Sequence, residues 1–278
     1  KGPDKSEKTH VYYADMWGIR EKKYQALFES DIDTVDWQEL TPTAPYFFFV
    51  PKDFSLQEEY FQWWPIREIF TVSQNGLKTD RDELFFDFDA ERLGERMRTF
   101  FSKDYGDDFK ELYRVFPSSS FDIEARRDQT AFDAANIKRC LYRPFDERYL
   151  YYDPHLTSRP AHKVMHHTLA GKNISLIAAR QFGGHQHFIL LSSNKLTEIS
   201  SQAYAPYTLS PLYFYPADGE KQFDGTNRRP NLNPEFIKDI SGKLGSKFFE
   251  DGRGDFEQTF GPEDIFNYTY AVFHSPTY

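Results

Sequence analysis

Apolar positions recur three and four residues apart along residues 89–103, DAERLGERMRTFFSK, placing Leu93, Met97 and Phe100 or Phe101 on one face behind Asp89. That spacing predicts an amphipathic helix with an aspartate cap, the clearest in the first half of the chain. An extended aromatic run at Val11 is followed by a second helical pattern with Tyr24, Leu27 and Phe28 on one face, ended by Asp31, Asp33 and Thr34. Residues 56–70 repeat the pattern with Tyr60, Phe61 and Trp64, break at Pro65 and resume with Ile66, Ile69 and Phe70. Rings at such spacing read as core or interdomain packing. A helix over 158–170 starts near Pro160 and stops at Gly171. Two tail helices open on Asn233-Pro234-Glu235 and Gly261-Pro262-Glu263-Asp264, each with a proline in the first turn, and Gly245 closes the former.

Elsewhere the period shortens. ISLIAARQF and HFILLSS are aliphatic runs separated by Gly183-Gly184, the pattern of two buried strands joined by a hairpin, and LSPLYFYP reads as a third strand. YRPFDERYLYYD reads as a turn followed by a strand, while Leu84, Phe86 and Phe88 alternate after a turn signal at Asn75-Gly76. TPTAPYFFFVPKD, bracketed by Pro42, Pro45 and Pro51, is an edge-like strand or an extended connector. A short helix follows DYGDD, PSSS reads as a boundary or mobile loop, and a further helix is expected near 129–140. The pattern predicts an α+β chain: a connector of helices and short strands over 1–70, then one domain over 71–278 with a small mixed sheet flanked by helices and an aromatic-rich core.

Composition sharpens this. The chain has 278 residues, 28 of them Phe and 18 Tyr, so its core is built largely from rings. Its net charge of −9 argues against an indiscriminate nucleic-acid binder. The charge is uneven: residues 123–215 carry 11 Lys and Arg against 7 Asp and Glu, whereas 1–122 carry 16 against 25 and 216–278 carry 7 against 11. Six of the eight histidines fall within that mildly basic block, where a polyanion would touch. No apolar run approaches the roughly 20 residues that span a bilayer, and the first residues, KGPDKSEKTH, lack the apolar core of a signal peptide. One cysteine, Cys140, makes no internal disulfide, so a reducing, cytoplasmic setting is expected, with the thiol a small buried hydrophobe.

No nucleophile elbow or phosphate-cradling glycine loop is present, and the carboxylates sit in charge-mixed helical runs. His162 and His166 are four apart on a helix, and His185 and His187 share a strand face, yet neither pair has the glutamate or cysteine that would complete a metal site. They read instead as polar donors on a DNA-facing surface or as structural hydrogen-bonding groups. For nucleic acid the block is better supplied: Arg143, Arg148, Arg159, Lys163, Lys172, Arg180 and Lys195 are cations, and Gln181, Gln186, His187, Asn194 and Gln202 have base-reading chemistry. Lys78, Thr79 and Arg81 form a polar cluster that is either a phosphate contact or a solvated turn.

Eight motifs in order, ADMWGIREKKY, DWQEL with PYFFFVP, NGLKTDRDEL, LYRPFDERYLYY, RPAHKVMHHTLAGKNISLIAARQ, LSPLYFYP, RRPNLNPEF and PEDIFNYTYAVFHSPTY, resemble the C-terminal part of type ISP restriction-modification enzymes. These enzymes join nuclease, helicase-like ATPase, adenine-N6 DNA methyltransferase and target-recognition domains in one polypeptide. The resemblance implies that 1–70 leaves an upstream methyltransferase domain and that 71–278 is the target-recognition domain, reading a short asymmetric sequence in double-stranded DNA. The Asn/Asp-Pro-Pro-Tyr/Phe motif, the Walker motifs and a nuclease triad do not occur here. S-adenosylmethionine, ATP and Mg2+ would therefore belong to upstream domains, and the chain would be a non-catalytic piece of a longer enzyme. The aromatic motifs are expected to be scaffold, because recognition loops vary with the target. Chosen on chemistry, the base readers are Arg159, Arg180, Gln181, Gln186, His187 and Gln202, and the phosphate contacts are Lys78, Arg81 and Lys163. The alternative is a structural coupling module that touches little DNA.

Overall fold

The structure, a computed structural model, describes residues 9–118, 120–179, 190–202, 205–216 and 227–275. The chain divides between Trp63 and Trp64, just ahead of the proline that interrupts the helical pattern. The first unit holds β1 (Val11–Tyr13), α1 (Arg20–Glu29), β2 (Gln38–Leu40) and α2 (Gln57–Phe61). β1 and β2 pair antiparallel. After α1, Thr34 Oγ1 accepts from the Asp31 amide at 2.8 Å while Asp31 Oδ1 accepts from the Thr34 amide at 3.0 Å, a reciprocal turn. The apolar face expected of α1 is not buried: Tyr24 and Leu27 are each 54% exposed and Phe28 is 90% exposed. The proline-bracketed segment forms no strand and is a connector.

The second unit begins with α3 (Ile66–Ile69), β3 (Gln74–Asn75), α4 (Asp82–Phe85), β4 (Phe86–Asp87), α5 (Ala90–Ser102), α6 (Asp107–Tyr113) and α7 (Ile123–Arg127). It continues with β5 (Ile137–Arg143), β6 (Asp146–Tyr151), α8 (His162–Leu169), β7 (Ser175–Ala179), β8 (Leu190–Ser193), β9 (Leu196–Thr197), β10 (Ser200–Gln202) and β11 (Ala205–Pro211). The tail adds β12 (Tyr213–Phe214), β13 (Arg229–Pro230), α9 (Pro234–Leu244), β14 (Lys247–Phe248), β15 (Thr259–Phe260) and α10 (Pro262–Phe273).

Two sheets organise this unit. One runs β4-β6-β5-β9, antiparallel except for the parallel β5-β9 pair; the other runs β10-β11-β7-β8, with β3 also on β11. Side chains alternate across a strand. In β7 and β8 that alternation sends Ile177 and Leu191 into one apolar cluster and Leu176 and Leu190 into another. The second sheet is thus a wall between two cores, which is why its strands read as unbroken aliphatic runs. The larger core gathers Phe85, Leu93, Met97, Phe100, Tyr151 and Met165; the smaller gathers Phe70, Tyr213, Phe236, Phe260 and Phe266.

Helix α5 matches its pattern: Asp89 accepts from the amides of Glu91 and Arg92, and Leu93, Met97 and Phe100 are fully buried. Burial alone would raise the pKa of Asp87, but the Arg92 hydrogen bond, the Asp89 amide and the charges of Arg96 and Arg92 hold it at about 2. Three expectations are corrected. Residues 82–85 form a helical turn, with the Arg81 carbonyl accepting from the amides of Leu84 and Phe85, so Leu84, Phe85 and Phe86 are all buried in place of the expected alternation. The helix expected near 129–140 is a single 3-10 turn at Ala134–Asn136 running into β5, which makes Cys140 a buried strand residue whose thiol burial pushes well up. Asn75-Gly76 is no hairpin turn: β3 adds to β11, and Gly76 lies against the backbone of Thr197 and Glu198.

The β5-β6 hairpin turns through Phe145, which is 92% exposed with φ of 63°. Left-handed backbone costs a bulky L-residue about 1 kcal/mol or more, whereas asparagine tolerates it. Phe145→Asn is expected to stabilise the chain by about 0.5–1 kcal/mol in urea unfolding, and a loss of stability would show that the ring makes a contact of its own.

Candidate nucleic-acid interface

Lys78 and Arg159, far apart in sequence, are joined as a two-residue antiparallel bridge: each amide donates to the other's carbonyl at 2.9 Å. The Arg159 half of this bridge lines an open cleft of about 620 Å³. Its lining includes Arg81, Arg114, Arg126 and Arg159, the hydroxyls of Ser118, Ser120 and Ser158, and Phe121.

The arginines differ in role. Arg81 is 6% exposed, and its guanidinium donates to the carbonyls of Arg114 at 2.8 Å and Phe116 at 2.6 Å. It therefore braces the turn after α6 from beneath. In that turn Arg114 adopts φ of 53° and is exposed. Arg126 stacks on the ring of Phe121 at 4.4 Å and donates to the His155 carbonyl at 2.9 Å. Arg159 is exposed. Asp80 is the one carboxylate among the described residues of the lining, and it pairs with Lys78 at 2.5 Å and accepts from Ser158 at 2.6 Å. Burial opposes its ionisation, but Lys78, Ser158 and the charge of Arg159 outweigh burial and hold the carboxyl below its ordinary range. The pair cancels, and the four guanidiniums leave the cleft cationic.

Three of the nine nominated residues, Lys78, Arg81 and Arg159, thus meet in one place. Arg81 is a brace there and Arg159 faces solvent. Lys163 is exposed in the first turn of α8 and makes no ion pair among the described residues. Arg180, Gln181, Gln186 and His187 lie outside the described residues, as does His185; Gln202 is paired through its backbone with Ala205. The pairings Ala178 with Leu190, Ala179 with Tyr207 and Gln202 with Ala205 put the points where these segments leave the sheet at one end of it. Other cations of the block are paired: Arg143 with Glu198 at 2.6 Å, Arg148 with Asp146 at 2.7 Å, and Lys195 with Glu147 at 2.8 Å. Arg114 and Arg126 were missed. Their signal was two arginine-bearing stretches, YRVF and IEARR, flanking the serine loop, and nothing in the spacing said that 158–159 would close the ring.

Two of the three α8 histidines are structural, and His162 is exposed. His167 Nδ1 accepts from the Tyr215 amide at 3.1 Å, and His166 Nε2 lies 3.2 Å from the Pro216 carbonyl. Burial, then the charges of His166 and His162, bring the pKa of His167 from 6.5 to about 4. A group depressed on folding contributes full stability above its unfolded pKa and loses it as pH falls through the window from 6.5 to about 4. Allowing for partial exposure, the loss is about 2 kcal/mol. His167→Asn, which keeps an acceptor near Nδ1 and removes the titration, is expected to flatten that slope in urea midpoints measured across the window.

With the geometry in place, comparison with known proteins decides the family. The model of the Type ISP C-terminal specificity domain matches residues 68–278. The chain belongs to that family. The match begins at the head of the second unit, so this specificity domain carries both sheets, both cores and the arginine cleft. No curated protein matches the chain. Among solved structures it is similar to DrdV in a DNA complex, at 20% identity and a TM-score of 0.64 over 96% of this chain and 27% of that one. It is similar also to a nuclease-deletion mutant of the Type ISP enzyme LlaGI with a DNA substrate mimic, at 22% identity and 0.59 over 88% and 25%. A third likeness is to the ATP-dependent Type ISP enzyme LlaBIII bound to DNA, at 18% and 0.58 over 87% and 16%. The specificity domain and its leading unit thus span about a quarter or less of those chains, and the likeness supports the fold.

Proposed function

We propose that the chain recognises a specific sequence in double-stranded DNA as the specificity part of a Type ISP restriction-modification enzyme acting in the cytoplasm. The observation that carries this is the convergence, inside a unit matched as a specificity domain, of Arg81, Arg114, Arg126 and Arg159 on one open cationic cleft, with Lys78 bridged to Arg159 and paired with its one described carboxylate. Phosphate contacts fix register, and polar side chains on the segments leaving one end of the second sheet read base edges in the major groove. Site-directed adenine methylation and cleavage are assigned to methyltransferase, helicase and nuclease domains of the same polypeptide, with S-adenosylmethionine, ATP and Mg2+ bound there. Selection from a random duplex pool by mobility shift tests this: enrichment of one asymmetric sequence with salt-dependent affinity is expected, and binding without preference would overturn it.

A second reading, a module that couples enzyme domains, is favoured by the first unit, where Trp17 is 85%, Phe28 90% and Trp63 70% exposed. Rings so exposed are the chemistry of a protein contact. Exchanging residues 141–216 between relatives separates the two: a changed methylation site supports reading, and changed activity at an unchanged site supports coupling.

A further inference from the structure

We infer that the arginine cleft is a seat for the phosphodiester backbone of one DNA strand, gripped by Arg114, Arg126 and Arg159, and that it contributes affinity without contributing sequence preference. This rests on the DNA-recognition reading and assigns the roles within it.

The chemistry of the lining favours phosphate over bases. Guanidiniums only donate, and an arginine fork matches the paired oxygens of a phosphate, whereas the hydroxyls of Ser118 and Ser158 already donate to the Phe121 carbonyl and to Asp80. Reading adenine or cytosine would need acceptors as well, to meet their amino groups. The described lining offers one carboxylate, Asp80, and Lys78 and Ser158 already occupy it. No glutamine or asparagine among the described residues lines the cleft.

The supports are rigid. Arg81 ties the turn that carries Arg114 to the floor through two carbonyls. The bridge to Lys78 fixes the backbone of Arg159 on both sides. Arg126 is held flat by the Phe121 ring, itself 8% exposed, and by the His155 carbonyl. Arg126, held by both contacts, loses little freedom when a phosphate arrives, and Arg114 and Arg159 project from fixed backbone. The volume of about 620 Å³ and the open mouth suit a continuous backbone better than a single small anion. Arg159, nominated from sequence as a base reader, is reassigned to the backbone; Arg81 becomes a positioning residue.

The test uses the full 278-residue chain with Arg114→Ala, Arg126→Ala and Arg159→Ala, and with the matching lysine variants as charge-retaining controls. Fluorescence anisotropy is read against the selected duplex and a scrambled duplex between about 50 and 200 mM salt. Each alanine variant is expected to weaken both duplexes by the same factor, roughly 3- to 10-fold, and to lower the slope of log affinity against log salt by about one, with lysine restoring the slope. Circular dichroism melts confirm that the variants fold. An unchanged slope overturns the inference, and so does a variant that alters the preference between duplexes. Inorganic phosphate is titrated in parallel: millimolar or weaker competition agrees with a backbone seat, whereas tight binding with duplex affinity untouched by the variants shows a free-anion site and overturns it. Failure of the parent reading looks different, because the unaltered chain would then show no preference at all.

Discussion

Asn231→Ala is expected to cost about 4 kcal/mol of unfolding free energy, read as a fall in the urea midpoint at unchanged slope. The side chain is fully buried and makes four hydrogen bonds. Its oxygen accepts from the Val72 amide at 2.8 Å and the Thr71 hydroxyl at 2.7 Å, and its nitrogen donates to the carbonyls of Val72 at 2.8 Å and Pro211 at 2.7 Å. Alanine leaves three backbone groups without their partner, the Pro211 carbonyl buried and the Val72 amide and carbonyl partly so, and each carries a desolvation cost of roughly 1–3 kcal/mol at full burial. Asn231→Asp is expected to be no better at neutral pH, because it places a carboxylate against two carbonyl oxygens. Because Asn231 ties the segment after α3 to the end of β11, either change loosens the entry to the specificity domain. A loss below about 1 kcal/mol would mean that water replaces the side chain.

How much of this was legible follows from the physics of each element. Helix α5, the tail helices and the β7-β8 pair were readable because caps, prolines and aliphatic runs are local signals. Residues 82–88 and 129–140 were not, because tertiary pairing overrode local pattern: Phe86 joins β6 opposite Leu150, and Ile137 to Arg143 zip onto the same strand. Asn231 gave no signal beyond its place in RRPNLNPEF, where Asn233 was the readable cap. The cleft was half legible. Residue chemistry nominated the cluster of Lys78 and Arg81 apart from Arg159, but their meeting depends on a bridge between residues 78 and 159 that no periodicity encodes. The same limit explains why Arg143 and Lys195 looked available: β9, laid parallel on β5, brings Glu198 to Arg143 and Lys195 to Glu147, whereas Arg148 pairs with Asp146 two residues away on its own strand.

That bridge depends on its neighbour, which gives the other large expectation. A Cβ on Gly76 would lie 2.7 Å from the Thr197 carbonyl oxygen and 2.9 Å from the carbonyl carbon and oxygen of Glu198, all backbone atoms that no rotamer change moves aside. Immediately beyond, the Leu77 amide donates to Thr197 at 3.0 Å and the Ile199 amide donates to Leu77 at 2.9 Å. Gly76→Ala must push these segments apart, weakening both bonds and displacing Lys78 and with it Arg159. The expected cost is about 3 kcal/mol, in the range of overpacked interiors and broken buried hydrogen bonds. Duplex affinity should fall further than in any single arginine variant, because one change shifts a whole side of the cleft. Gly242→Ala is the control: its Cβ meets nothing within 4 Å in the last turn of α9, so alanine's helix propensity should add roughly 0.5 kcal/mol and leave binding alone. If Gly76→Ala destabilised the chain while duplex affinity, measured well below the unfolding midpoint, stayed intact, then the Lys78-Arg159 bridge would not be what presents the arginines to DNA.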